Sequence, residues 1–507
     1  MTARHALVGG NAPSVKSKVF RKNKTPRVTD RRGFVLSIFF IARSCCSGHS
    51  PDMEIFTFRL VRSAFTLFLA VLISVQPAMA QSILRDAETE AFFKEISAPL
   101  IEAAGLDPKN VDIILINDKS INAFVAGGQA VYLHSGLIDA ATTANEVQGV
   151  IAHELGHIVG GHVVRFDEGV SAASGISIAS LILAAAAIAA GAGEAGMGIL
   201  SAGQQAAMGK FLAYSRGQEG TADASGAQYL SKAGITGRGS INFFKKLQNF
   251  EFRLGIPQED SYGRTHPLSG ERISVLEDTY SADPAWNAPL NPKWESDFKR
   301  VKAKLTGYLA DPTATMRDYP ESDKSVPARY ARAYAWHKSA YPQKALDESS
   351  ALVSSAPEDP YFLELHGQIL LESGRPADAI APLRKAVNLT GNQPLIAAIF
   401  GHALIATEDK TQLDEAAQVL KAAVTKDNQN PFAWYQLGVV YAQKGDTARA
   451  ALASAERYMM EGAPQFALSN AQTAMAGLPE FSPDWIRAQD INMVAEAKLA
   501  QLKKRRR

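Results

Sequence analysis

The chain has 507 residues, 46% of them hydrophobic, and a formal net charge of +2. This length predicts two to four domains, and the apolar content is typical of chains that fold around globular cores. The near-neutral charge gives no indication of a nucleic-acid partner, and none is expected. The only two cysteines, Cys45 and Cys46, are adjacent and rarely pair in that arrangement, so no disulfide framework is predicted.

The N-terminal part of the chain contains a basic extension and then a secretion signal. Residues 1–52 are basic and irregular, and Met53 begins a segment with a positive start, an apolar run at 64–75 and an A-x-A-type cleavage site. This pattern predicts a signal peptide at 53–80, with Gln81 as the first mature residue. We interpret the basic extension as a gene-start artefact, and the alternative is a genuine long leader. The mature chain then has no cysteine, which suits an oxidising compartment.

A helix and a small sheet are predicted next. Apolar residues at helical spacing predict a helix over 83–104, and a β-branched run predicts a strand at 111–116. Segments 121–125 and 130–134 flank a Gly-Gly pair and predict a β-hairpin. The edge of such a sheet can take an extended peptide by β-augmentation. The alternative is a sheet that only packs under the following helix.

Residues 145–161, NEVQGVIAHELGHIVGG, contain the motif H-E-x-x-H at His153, Glu154 and His157. Residues four apart lie on one face of a helix, so both imidazoles can reach one metal ion, and Glu154 can polarise a metal-bound water. Apolar spacing predicts a helix, with Asn145 as its N-cap and the glycine pair as its end. For the motif alone, the alternative is a core helix that carries two histidines by chance.

A further histidine, His162, follows the motif. In the pattern H-E-x-x-H-x-x-G-x-x-H, Gly160 fits, but Val163 occupies the position of the third ligand. We therefore predict that His162 points away from the ligand position and either lies beside the metal ligands or is structural; the alternative is a catalytic role.

Residues 169–193 carry no charge and are long enough to cross a bilayer. A single crossing is disfavoured, because the metal ligands that we expect on its two sides must share a compartment. The glycine-rich piece at 194–210 is a poor return span. We therefore predict a mobile helical lid over the active site that can contact a membrane surface.

Glu219 and Asp223 are four residues apart in SRGQEGTADASG, on a second predicted helix. The pair is typical of a third zinc ligand with a nearby carboxylate that holds a ligand histidine. The alternative is an exposed acidic pair whose mutual repulsion a nearby cation relieves.

Together these segments resemble the HtpX-like metallopeptidases, a gluzincin group. The resemblance covers about residues 83–280. It rests on NEVQGVIAHELGHIVGGH, SRGQEGTADASG, INAFVAGG, VYLHSGL and the later Thr265-His266-Pro267 with Glu271-Arg272-Ile273.

The resemblance implies one bound Zn²⁺. The ligands that it implies are His153, His157 and Glu219. Glu154 is expected to be the general base. Asp223 is expected to contact one of the ligands without binding the metal itself. His266 and Arg272 match the family's later motif, where their role at the site is open.

The C-terminal part is predicted to be a helical repeat. Residues 281–325 contain several prolines and two tryptophans near their start, which predicts a linker or a segment that wraps around the domain. Pro360 and Pro394 are 34 residues apart, and this period over 326–478 is the tetratricopeptide signature. Residues 479–507 are predicted to form a capping helix and a basic tail.

The predicted fold class is mainly α. A zincin-like metallopeptidase domain of helices with a small β-sheet, at 81–280, precedes an α-α tetratricopeptide solenoid. A signal peptide, such a domain and such an array together resemble the periplasmic β-barrel assembly-enhancing protease branch.

That resemblance implies a periplasmic zinc endopeptidase, peripheral to the outer membrane. Its expected substrates are unfolded or stalled envelope proteins, and its expected partner is the outer-membrane β-barrel assembly machinery. The first alternative is a chaperone or scaffold for outer-membrane protein assembly, with a gated and mostly latent protease. The second is an integral-membrane protease, which depends on residues 169–193.

Overall fold

The computed structural model describes residues 82–189, 193–254, 266 and 270–505. These residues belong to one compact unit, Gln81–Arg507. They are mainly helical with one small sheet, which confirms the predicted fold class. The basic extension and the signal peptide predicted before Gln81 lie outside the described residues.

A four-stranded sheet lies at the start of the described chain. Its strands are β1 (Ser82–Leu84), β2 (Asp112–Asn117), β3 (Ala123–Ala126) and β4 (Ala130–His134). They lie in the order β1-β2-β4-β3, with β2 parallel to β4 and the other two pairs antiparallel. The predicted hairpin is β3 with β4, and the β-branched run forms β2.

Helix α1 (Ala87–Ala103) begins later than the sequence predicts. Residues 83 and 84 pair with β2 as an edge strand, so the prediction of a helix from residue 83 is wrong at its start. Asp86 fixes the true start, because its carboxylate accepts hydrogen bonds from the backbone nitrogen and the hydroxyl of Thr89, at 2.8 and 2.6 Å. The apolar face of α1 joins the core of the peptidase domain through Phe93 and Leu100.

The motif helix, α3 (Ala144–Gly160), follows the short helix α2 (Ser135–Ala140). Its N-cap is Thr143, whose hydroxyl accepts from the backbone nitrogen of Glu146 at 3.1 Å, so the prediction of Asn145 as the cap is wrong. The helix ends in a left-handed glycine, as predicted. Residues 144–157 are all buried, which makes α3 the centre of the domain.

Asn145 has a different role, in the contact between α3 and α6 (Arg238–Leu254). Its side-chain amide donates to the carbonyl of Thr236 at 2.9 Å, and its side-chain oxygen accepts from the nitrogen of Gly239 at 2.8 Å. Both bonds are buried. Asn145 therefore fixes the start of α6 against the first turn of the motif helix.

Helices α4 (His162–Ala189) and α5 (Gly193–Lys232) pack along each other as a long hairpin. They approach closely at Gly203, where an added Cβ would lie 2.0 Å from the Cβ of Ser180. No helix among the described residues is long and apolar enough to cross a membrane. Large apolar side chains are nevertheless exposed along the hairpin, at Ile178, Leu181, Ile182, Leu183, Met197, Met208 and Leu212.

The interval predicted to be a linker, 281–325, is largely helical. After α7 (Gly270–Ser281) and a short 3-10 helix, it contains α8 (Pro292–Leu309) and α9 (Pro312–Asp318). Phe298 and Val301 on α8 are buried in the peptidase core. This interval is therefore not an extended linker, and its contacts agree with the other predicted alternative, a segment that wraps around the domain.

The repeat array consists of paired helices. They are α10 (Val326–Lys338), α11 (Pro342–Ser355), α12 (Pro360–Glu372), α13 (Pro376–Leu389), α14 (Pro394–Ala406), α15 (Leu413–Lys426), α16 (Pro431–Gln443), α17 (Thr447–Met460), α18 (Pro464–Gly477) and α19 (Pro483–Arg505). Pro360 and Pro394 each begin a helix, where the missing N–H costs nothing. At Gly367 an added Cβ would lie 2.5 Å from Cγ of Leu383. The residues that recur every 34 positions thus lie at the first residue of a helix or where two helices pack closely against each other.

Charged side chains hold the first repeats against the peptidase domain. Arg300 on α8 donates to both oxygens of Asp359, at 2.5 and 2.8 Å, and pairs with Glu88 on α1. Glu88 also accepts a hydrogen bond of 2.6 Å from the hydroxyl of Tyr330 on α10. Lys304 pairs with Glu88 as well, at 3.3 Å. The array is therefore fixed to the domain by the partly buried ion pair of Arg300 with Asp359 and by the buried hydrogen bond of Tyr330 with Glu88.

Candidate metal centre

Four side chains from three parts of the chain meet at one point. His153 and His157 come from α3, Glu219 from α5, and His266 from the stretch between α6 and α7; one donor atom from each lies within 4.8 Å of the other three. All four side chains are buried. The Nε2 atoms of His153 and His157 are 3.1 Å apart, and each lies 3.4 Å from an oxygen of Glu219. His266 Nδ1 lies 3.1 Å from Glu219 Oε1.

Glycines set the distance between the two helices that carry this group. An added Cβ at Gly156, between the two motif histidines, would lie 2.6 Å from the carbonyl oxygen of Ala222 on α5. Gly226, one turn further along α5, would meet the backbone of Ala152 at 3.1 Å. Close approach at these points brings Glu219 over the histidine face of α3. The sequence pattern does not predict the role of these glycines, although Gly156 occupies a free position of the motif.

A chain of polar contacts orients the first histidine. Asp223 Oδ1 lies 2.9 Å from His153 Nδ1, which leaves Nε2 of the ring for a metal ion. Arg272 donates to both oxygens of Asp223, at 2.7 and 2.9 Å, and its third nitrogen lies 3.1 Å from Glu219 Oε2. The same guanidinium therefore contacts Glu219 directly and holds the carboxylate that contacts His153.

The electrostatics of the site favour a bound cation. Burial, the largest single influence, opposes protonation of His153, but its hydrogen bonds with Asp223 and Glu219 raise the pKa of the imidazole to about 10. Burial also works against ionised Glu219 and Asp223, yet hydrogen bonds from His153 and other nearby donors hold both pKa values below their usual range. Burial lowers the pKa of His157. Glu219 and Asp223 therefore stay ionised, and they favour a proton on the ring of His153. A bound metal ion would supply positive charge in place of that proton.

Glu154 lies beside the group and is completely buried. Neither of its carboxylate oxygens has a hydrogen-bond partner among the described residues, although His266 Nε2 lies 3.5 Å from Oε1. A buried carboxylate without a hydrogen bond is costly, so such a group indicates a partner that arrives with the ligand. A base that acts on water next to a metal ion has this requirement.

The residues fit a metal ion. Three imidazoles and one carboxylate are nitrogen and oxygen donors of the kind that bind Zn²⁺ in four-coordinate sites. Ionised neighbours and a buried carboxylate without a hydrogen bond agree with that interpretation. The donor set therefore supports a metal centre.

The structure brings together all eight residues that the sequence singled out. They are His153, Glu154, His157, His162, Glu219, Asp223, His266 and Arg272. His162 contacts His157 on the side away from Glu219 and is not one of the four residues that could hold a metal ion. His266, whose role the sequence left open, lies within the group.

Comparisons with known proteins agree with this geometry. Residues 87–280 match the model of Peptidase family M48, and residues 339–394 and 409–445 match models described as Tetratricopeptide repeat and TPR repeat. The chain is similar to the "Putative beta-barrel assembly-enhancing protease" of Vibrio cholerae, at 27% identity over 56% of this chain and 59% of that protein. This chain thus spans less than two thirds of that relative.

Two further relatives support the same assignment. The "Beta-barrel assembly-enhancing protease" of Yersinia pestis is 26% identical over 69% of this chain and 71% of that protein. "Metalloprotease LoiP" of Escherichia coli is 34% identical over 35% of this chain and 64% of that protein. The predicted resemblance and the predicted enzyme class are confirmed. The chain therefore contains a peptidase M48 domain at 87–280, of the metalloendopeptidase type, followed by tetratricopeptide repeats.

Proposed function

We propose that the protein is a zinc endopeptidase of the periplasm that degrades misfolded or stalled envelope proteins. The observation that carries the proposal is the buried carboxylate of Glu154, without a hydrogen-bond partner among the described residues, beside a group that could hold a metal ion. The predicted signal peptide supports the compartment. The names of the assembly-enhancing relatives support the substrate class and a partner in outer-membrane β-barrel assembly.

Zn²⁺, held by His153, His157 and Glu219, would supply Lewis acidity next to the scissile carbonyl. Glu154 takes the proton from the attacking water and passes it to the nitrogen of the leaving amine. Asp223 holds the ring of His153 so that its Nε2 lone pair points at the ion. Burial of the whole group excludes other water and strengthens each of these interactions.

His266 supports a gated form of this enzyme. A catalytic zinc site keeps three protein ligands and leaves a fourth position for water or substrate. Because His266 lies among the donors, a zinc ion bound to all four side chains would have no open position. His266 must then leave before a peptide carbonyl can enter. The enzyme is therefore latent in this arrangement and becomes active when His266 leaves the group.

The same observation favours the second candidate function, a chaperone or scaffold. A latent protease with a repeat array can bind unfolded clients without cleaving them. Tetratricopeptide arrays present helical surfaces to other proteins. The two candidates therefore differ in whether Glu154 is needed for the effect on clients.

Exposed apolar side chains on the hairpin of α4 and α5 support peripheral contact with a membrane. Four of them, Ile178, Leu181, Ile182 and Leu183, are more than half exposed within one short stretch of α4. Apolar side chains at an exposed helix surface can enter the headgroup boundary of a bilayer. The hairpin would then hold the enzyme near membrane-bound clients.

The experiment that tests the proposed function measures cleavage of casein and of an unfolded outer-membrane protein by the chain from residue 81. We expect cleavage that a chelator removes and that added Zn²⁺ restores. Replacement of Glu154 by Gln should abolish cleavage. If the Gln variant still keeps the outer-membrane protein from aggregating as well as the parent does, the scaffold function is favoured over proteolysis.

A further inference from the structure

His157 has a contact on the side of its ring that faces away from the other ligands. Its Nε2 points at Glu219 and His153, while its Nδ1 lies 2.9 Å from Nδ1 of His162. The two ring centroids are 4.9 Å apart and the rings are inclined at 78°. One of the two Nδ1 atoms must donate and the other accept. A ring that gives its Nε2 lone pair to a metal carries its proton on Nδ1, so His157 is the donor and His162 the acceptor.

Two glycines bring His162 into this position. Gly161 has φ of 64°, which reverses the chain between α3 and α4 at a conformation that favours glycine. The ring of His162 then lies against Gly160, where an added Cβ would be 2.5 Å from His162 Nε2. The glycine pair therefore ends the motif helix and also makes room for the imidazole that folds back onto it.

The two motif histidines are supported by different chemistry. The carboxylate of Asp223 holds the Nδ1 side of His153, and Arg272 fixes that carboxylate in turn. At His157 the same position is taken by the ring of His162. An imidazole accepts one hydrogen bond through one nitrogen, so its orientation decides whether the bond forms.

We infer that His162 is a positioning residue for the metal site, which holds the ring of His157 with its proton on Nδ1 and its Nε2 aimed at the ion. This inference rests on the proposed function, because it requires His157 to be a ligand. His162 is also the first residue of α4. His162 therefore joins the base of the hairpin to the ring of His157.

The test compares zinc affinity among four variants of the mature chain by competition with a chromophoric chelator. Removal of the group that hydrogen-bonds to a metal-bound histidine typically lowers metal affinity by about 10–100-fold. We expect a decrease of that size in the zinc affinity of His162→Ala. His162→Asn, whose side-chain oxygen can accept in place of the ring nitrogen, should recover most of the affinity. Gly160→Ala should weaken zinc binding because the added methyl displaces the ring. Gly217→Ala, with nothing within 4 Å of the added Cβ, is the matched control and should bind like the parent.

A spectroscopic measurement separates positioning from a general loss of structure. In the zinc-loaded parent, labelled with ¹⁵N at histidine, we expect a slowly exchanging Nδ1 proton on His157. This signal should disappear in His162→Ala and return in His162→Asn. A parent protein without a protected Nδ1 proton on His157, or a folded His162→Ala protein that binds zinc like the parent, overturns the inference.

Parallel variants distinguish failure of the inference from failure of the proposed function. If His157→Ala and Glu219→Ala lose zinc while His162→Ala keeps it, only the role of His162 is wrong. If His157→Ala keeps full zinc affinity, the proposed ligand set is wrong and the inference fails with it.

Discussion

Asp223 Oδ1 lies 2.9 Å from His153 Nδ1, and the other oxygen of that carboxylate accepts a 2.7 Å hydrogen bond from Arg272. The ring of His153, a candidate metal ligand, is thus held by Asp223, and Arg272 in turn holds Asp223. This arrangement fixes the ring before a metal ion arrives. It accounts for the presence of a second acidic residue one helical turn after Glu219.

The first prediction follows from this contact. Asp223→Asn keeps an oxygen of similar position but removes the charge, so we expect about 10–100-fold weaker zinc binding. Asp278→Asn, an exposed change on α7, is the matched control and should leave affinity unchanged. Chelator competition on both proteins measures the difference. Equal affinities would show that Asp223 does not support the ligand.

The second prediction separates ligand from base. Glu219→Ala should lose zinc and activity together, because it removes an oxygen donor from the group. Glu154→Gln should keep zinc and lose about 10²–10⁴-fold in kcat, the usual contribution of a general base. Metal analysis and casein cleavage are measured on the same preparations. A Glu219→Ala protein with full zinc content contradicts the ligand assignment.

The third prediction concerns His266. His266→Ala removes the fourth donor, so three ligands should still hold zinc while the position for substrate opens. We expect kcat/KM for an unfolded substrate to rise at unchanged zinc content. His266→Gln, which keeps a polar group there, should lie between the parent and the Ala variant. A fall in kcat/KM with zinc retained would assign His266 to catalysis and not to closure.

The fourth prediction tests the hairpin as a lid. A test of the lid needs a variant that loosens the packing of α4 on α5. Exposed residues such as Leu181 and Leu183 do not serve, because their replacement leaves that packing intact. Gly203→Val loosens it, because the valine side chain would collide with Ser180 on α4. We expect faster cleavage of an unfolded protein at constant zinc content. Gly198→Val, where an added Cβ meets nothing within 4 Å, is the control for the cost of valine in a helix and should behave like the parent.

The fifth prediction is a pH dependence at the contact between domain and repeats. Burial raises the pKa of Glu364 on α12 to about 8; Asp86 and Glu88 add to this rise, and Lys304 opposes it. The folded protein therefore binds a proton that the unfolded chain releases near its ordinary pKa of about 4.3. This contribution to stability is full at low pH and is lost as the pH rises from about 4.3 to about 8.

Glu364→Gln removes the titration and should flatten that part of the pH dependence. Urea unfolding of both proteins at pH 5.5 and 8.5 measures it. We expect the variant to lose less stability than the parent between these two conditions. Identical losses in the two proteins would mean that Glu364 does not titrate in this range.

Local patterns in the sequence predicted much of the architecture. The four-residue spacing of His153 and His157 and that of Glu219 and Asp223 follow from the helical period. The interval between Pro360 and Pro394 follows from the length of one helix pair. Each of these patterns lies within a short stretch of the chain. Its physical cause is that each helix buries one face, and the spacing of residues along the sequence shows which face that is.

Only the tertiary structure decided which distant groups meet. His266 is 113 residues from His153, and no periodicity connects them, yet their rings lie 5.0 Å apart. Arg272 joins Asp223 to Glu219, and α8 enters the core from an interval that proline content marked as a linker. These contacts depend on how whole helices pack, through close crossings at glycines and long-range burial. Spacing along the chain determined the helices and placed His153 and His157 on one face, and packing determined which distant side chains surround and support them.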